Sequence, residues 1–107
     1  MLFTLLITAP PESAVAAKAL DFAHAVLQQG HHINRLFFFA DGTRNALLSS
    51  PLATSWQALM QTQQVPVTVC AGSADMAGVT SSNSLLPIAG MGDWLMATLD
   101  SDRLVTF

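Results

Sequence analysis

Charge is what this chain most lacks. Only 11 of its 107 residues are Asp, Glu, Lys or Arg, where an average soluble domain of that length, at roughly 25% charged, would carry about 27. Half of it is apolar, at 51%, which excludes intrinsic disorder, a state that needs low hydrophobicity and high net charge. Four Lys and Arg against seven acids leave a net charge of −3 with no basic run. That excludes a clamp that neutralises phosphates, so direct contact with nucleic acid is not expected. No apolar run approaches the roughly 18 residues of a membrane span. The single cysteine, Cys70, excludes an intrachain disulfide framework, a Cys-x-x-Cys redox pair and a structural zinc site. Leu2 to Ile7 is apolar, but no positive segment precedes it and no cleavage-type stretch follows, so no signal peptide is expected. The expected setting is cytoplasmic, where a lone thiol stays reduced. The length suits one domain, residues 1–107, with one core.

What is present is an alternation of strand-like and helix-like segments. Leu2 to Thr8 is a continuous apolar run stopped by Ala9-Pro10-Pro11, as suits a buried parallel strand. A helix is expected from Glu12 or Ser13 to about Gln29, with Lys18, Asp21, His24 and Gln28 on its polar stripe and Gly30 as its stop. Ile33 to Phe39 reads as the second strand, broken by Asp41-Gly42. Thr43 to Ser50 reads as a loop with a short helical turn, and Pro51 opens a helix carrying Leu52, Trp56, Leu59 and Met60. Val65 to Val69 is the third strand, with Cys70 at its end. The small, polar stretch 71–88 reads as a short helix from about Ser73 to Ala77, then a loop and a weak turn or helix. Gly90-Met91-Gly92 opens a last helix, Asp93 to Leu99, and Leu104 to Phe107 is the final strand. The pattern predicts an α/β fold: a mainly parallel sheet of about four to five strands with helices on both faces.

In such sheets, reacting groups collect at the carboxyl ends of strands. Cys70 stands at one of these, before a helix start whose unpaired N–H groups favour a thiolate. Its small neighbours Ala71, Gly72 and Ser73 leave room for a second sulfur. That is the chemistry of a nucleophilic or sulfur-carrying cysteine; the alternative is a buried thiol acting as a small hydrophobe. Asp75 is the nearest ionisable group in sequence, and an acid opposes thiolate formation. His31 and His32 fall at the opposite end of the sheet and lack further metal ligands in sequence. Gly90-Met91-Gly92 lacks the third glycine of a dinucleotide loop, and its glycines read as tight packing at a helix start. Trp56 and Trp94 lie on apolar helix faces. Arg35, Arg44 and Arg103 are scattered and read as solvated or locally paired charges.

Phe37-Phe38-Phe39-Ala40-Asp41-Gly42, the lone Cys70 closing the third strand, Ser82-Asn83, Gly90-Met91-Gly92 and the ending Asp102-Arg103-Leu104-Val105-Thr106-Phe107 together resemble the DsrE family of sulfur-relay proteins. The resemblance implies a three-layer α/β/α sandwich, flavodoxin-like, and a sulfurtransferase that uses no cofactor and no metal. It implies that Cys70 takes a persulfide sulfur from a TusA-like donor and passes it to a TusE-like acceptor. It implies assembly with TusB-like and TusC-like chains of the same fold, or with copies of itself, and a relay ending in tRNA 2-thiouridine or in sulfur oxidation. A non-catalytic assembly subunit with an inert Cys70 is the alternative. Two features depart from the family's pattern. The chain is short between its second and third strands, and Ala71 to Met76 lacks basic residues after the cysteine. The charge shortage itself points to assembly, because helix stripes of Gln, Ser, Thr and Ala suit a subunit contact.

Overall fold

The apolar runs become strands because they are wanted dry on both sides. In the computed structural model, which describes residues 1–107, they are β1 (Leu2–Ile7), β2 (His32–Phe38), β3 (Val67–Cys70), β4 (Ile88–Ala89) and β5 (Arg103–Thr106). All pairings are parallel, in the order β4-β3-β2-β1-β5. The helices are α1 (Ala14–Gln28), α2 (Ala53–Thr62), α3 (Ala71–Ala77) and α4 (Met91–Asp100), and Ala40–Ala46 forms a 3-10 helix.

The order has a consequence for the helices. From β1 to β4 the chain steps one way across the sheet, and from β4 to β5 it steps back past β1. Right-handed crossovers therefore put α1, α2 and α3 on one face and α4 alone on the other. Packing agrees. Leu5, Ile7, Leu36, Phe38, Val67 and Val69 share one apolar cluster with Ala19 and Ala23 of α1, Trp56 and Leu59 of α2 and Ala74 of α3, and no residue of α4 joins it. The expected helices on both faces are present, three against one.

Local signals act where the chain needs them. Ser13 caps α1, its hydroxyl accepting from the Val15 N–H at 3.1 Å. Glu12 lies just outside the helix and accepts instead from Arg44 at 2.6 Å. Gly30 ends the helix region at φ 82°. The second strand ends before Asp41-Gly42, as expected, and both residues lie in the 3-10 helix that begins at Ala40. Gly42 is required there by proximity: a Cβ would stand 2.0 Å from the Ile7 carbonyl oxygen on β1.

Several boundaries differ from expectation: the last helix starts at Met91, not Asp93, and the second at Ala53, not Pro51. The third strand starts at Val67, after Pro66, and includes Cys70. The helix after it starts at Ala71, not Ser73. The weak turn or helix expected before Gly90 contains β4, a strand of only two residues beside β3. Two residues are too few to show an alternation, so pairing decides that strand. The final strand is less buried than its apolar run implies, since β5 is an edge and Arg103, Leu104 and Thr106 are exposed.

Candidate functional site

The site is built where β2, β3 and β4 end. Val67 and Val69 point into the apolar cluster, and Thr68 points the other way, donating to Asp93 of α4 at 3.0 Å. Strand alternation puts Cys70 on Thr68's side, the face that α4 covers. Register gives its neighbours: Cys70 pairs with Ala89 of β4. On the other side Phe38 pairs with Val69, so Phe39 is the next position alongside Cys70. The chain then turns straight into α3, with Cys70 as the residue preceding its first turn. Cys70 is a free thiol and buried, with 5% of its surface exposed. Ala71 and Gly72 just beyond it are exposed, as are Gly90, Met91 and Gly92 at the start of α4.

Two hollows flank this end of the sheet. One, about 410 Å³, is lined by Phe39, Ala40, Asp41, Ser73, Met76 and Ala77. Ala40 holds a left-handed φ of 53°, and its N–H donates to the Ser73 hydroxyl at 3.0 Å, tying the 3-10 helix to α3. The other, about 110 Å³, is lined entirely by the apolar Leu6, Phe39, Met91 and Trp94. It lies on the α4 side, where Trp94 sits over Phe37 with ring centroids 6.3 Å apart.

The first turn of α4 is held by charge. Asp93 pairs with Arg35 of β2 at 3.1 Å while accepting from Thr68 of β3. Arg35 keeps its Nε buried without a partner. The expectation of a solvated or locally paired Arg35 does not hold, because its partner Asp93 comes from an element far along the chain. A buried-side position for Arg35 inside an apolar strand is the one signal that was available. Asn45 carries no sequence signal of its role either. It is fully buried, donates to the Ala9 and Gly42 carbonyls at 2.9 Å each, and accepts from the Trp56 indole at 3.3 Å.

The other sequence candidates scatter. Trp56 is a fully buried core residue in edge-to-face contact with Phe38. His24 is exposed on α1, and His31 lies at the amino end of the sheet with its Nδ1 2.8 Å from the Met1 amine. No group of three or more His, Cys, Asp or Glu side chains is placed to hold a metal ion. Gly90 and Gly92 are not there for tight packing, because a Cβ at either would meet nothing within 4 Å. Arg44 pairs with Glu12, and its hydrogen bond holds the Glu12 carboxyl below the usual carboxylate range. Asp75 is exposed on α3.

This geometry has counterparts. The ychN protein from E. coli superposes with a TM-score of 0.83, covering 99% of this chain and 97% of that one at 22% identity. That likeness is one of fold. In sequence, the chain is 35% identical to the Sulfurtransferase TusD of Sodalis glossinidius, over 98% of this chain and 97% of that one. It is 33% identical to the Sulfurtransferase TusD of Enterobacter sp. (strain 638), over the whole of both. The latter alignment is 128 positions long, so 21 of them have no counterpart in these 107 residues. The DsrE/DsrF-like family model matches residues 1–107. With a family model that matches the whole chain and full-length similarity to these relatives, the chain belongs to the DsrE/DsrF-like family.

Proposed function

We propose that this protein is a sulfurtransferase working as one member of a sulfur relay, with Cys70 as its transient persulfide carrier. The observation that carries this reading is the place of the only thiol. It closes β3 at the carboxyl edge of a parallel sheet, beside exposed small residues, in a chain whose curated relatives are named sulfurtransferases.

The step needs no redox partner. The Cys70 thiolate attacks the terminal sulfur of a donor cysteine persulfide, a TusA-like protein in this reading. A new S–S bond forms on Cys70, the donor's S–S bond breaks, and the donor leaves as a thiolate. A thiol of a TusE-like acceptor then attacks the terminal sulfur, and Cys70 leaves as the thiolate. The sulfur goes on to tRNA 2-thiouridine synthesis. The chain works in an oligomer with TusB-like and TusC-like subunits or with copies of itself. Exposed Leu95, Met96 and Leu99 on α4 and Leu104 on β5 support assembly.

The test is mass measurement after incubation with a persulfide donor. Wild type gains one sulfur and Cys70→Ser gains none; equal gain by both refutes the carrier. A second reading, an inert assembly subunit, is favoured by the 5% exposure of Cys70. Thiol titration of the native protein separates the two. A Cys70 that reacts only after unfolding supports the scaffold and ends the carrier.

A further inference from the structure

We propose that the Arg35–Asp93 ion pair sets the charge environment of Cys70, with Arg35 neutralising the carboxylate that the fold brings to the thiol's side of β3. The inference rests on Cys70 being the sulfur carrier, since only a reacting thiolate needs that compensation.

Asp93 accepts from Thr68 at 3.0 Å, and Thr68 and Cys70 occupy the same side of β3 two positions apart. That spacing is about 7 Å along a strand. Asp93 belongs to the first turn of α4, where a negative charge suits the helix's positive end. The same charge opposes a thiolate nearby. Arg35 reaches across from β2 to Asp93 at 3.1 Å, and the two side chains retain only 25% and 30% exposure, so solvent screens them incompletely. The pair therefore lets Asp93 fasten α4 without penalising the anion on sulfur. A loaded persulfide, ionised at its terminal sulfur, gains from the same compensation. Other charges near this end are of a different kind. Asp75 of α3 and Asp41 of the 3-10 helix are exposed, Arg44 is bound to Glu12, and β4 carries none. Arg35 and Asp93 are thus positioning residues, acting on the thiol through its electrostatic surroundings.

The experiment is the pH profile of Cys70 alkylation by iodoacetamide on the full chain. Arg35→Gln leaves Asp93 uncompensated and moves the midpoint up by about half a unit to one unit. Asp93→Asn leaves Arg35 unopposed and moves it down by a similar amount. Arg35→Lys keeps the charge and leaves the midpoint in place. Thr68→Val loosens Asp93 at unchanged charge, altering the plateau rate at high pH, which reports access, but not the midpoint. Loosening alone cannot produce opposite shifts, because both charge variants break the same pair. Midpoints that stay fixed, or that move together, overturn the proposal. Persulfide loading of wild type is measured separately, so failure of the carrier role and failure of the charge coupling are distinct results.

Discussion

The two faces of the sheet are built on different principles. Beneath α1, α2 and α3, Leu5, Ile7, Leu36, Phe38, Val67 and Val69 meet an apolar helix layer in one cluster of 17 buried residues. Beneath α4, a small apolar contact of Trp94 with Phe37 and the buried Ala97 is joined by polar, directional contacts. Asn34 donates to the Ala97 carbonyl at 2.9 Å, the Thr4 and Ser101 hydroxyls bond each other, and Asp93 takes Thr68 and Arg35. Three large apolar residues of α4 are turned outward, with Leu95 at 53%, Met96 at 63% and Leu99 at 72% exposure. One face holds the larger apolar core; the other positions a helix start beside the thiol and offers an uncovered apolar surface. Non-directional burial suits the first task, because it scales with area. Hydrogen bonds and an ion pair suit the second, because they specify position at small net free energy.

That contrast can be tested at graded strengths. The largest effect is expected at Trp56 of α2, fully buried against Phe38 of β2. Trp56→Ala should cost about 3–5 kcal/mol of global stability, read by denaturant unfolding, with further loss because Asn45 forfeits its indole donor. A smaller and local effect is expected on the other face. Asn34→Ala removes the bond to the Ala97 carbonyl and should cost about 1 kcal/mol. Hydrogen exchange should quicken in α4 while α1 and α2 keep their protection. Uniform quickening across all helices would show that the faces are not energetically separate. The smallest effect lies outside both layers, at the exposed Glu12–Arg44 pair. The Arg44 hydrogen bond lowers the Glu12 carboxyl, so the pair's contribution is present above the unfolded carboxylate range and lost as pH falls through the lower folded value. Tm of Arg44→Ala should fall slightly below wild type near neutrality, and the two curves should meet in strong acid.

Much of the stabilising face was legible in the sequence. The runs at Leu2 to Thr8 and Ile33 to Phe39 mark buried strands by their apolar character, and the stripe of α1 and the spacing of Trp56 and Leu59 show their buried side through local period. The place of Cys70 at a strand end was legible for the same reason. The directional face was not. Arg35 and Asp93 lie 58 positions apart, and no local period links them. Asn45 looked like a loop residue because its partners, Ala9 and Trp56, arrive from other elements. The glycines at 90 and 92 misled, since a helix start suggests close packing where the fold leaves open space.

The sequence by itself thus determined the alternating α/β order, the apolar core and the position of its lone thiol, because each follows from patterns within a few residues. The tertiary structure alone decided which face of the sheet Cys70 occupies, that a two-residue strand pairs beside it, and that Asp93 and Arg35 meet on the same face. Those depend on the return crossover from β4 past β1 to β5, which places α4 opposite the other helices and brings together side chains that local patterning cannot relate.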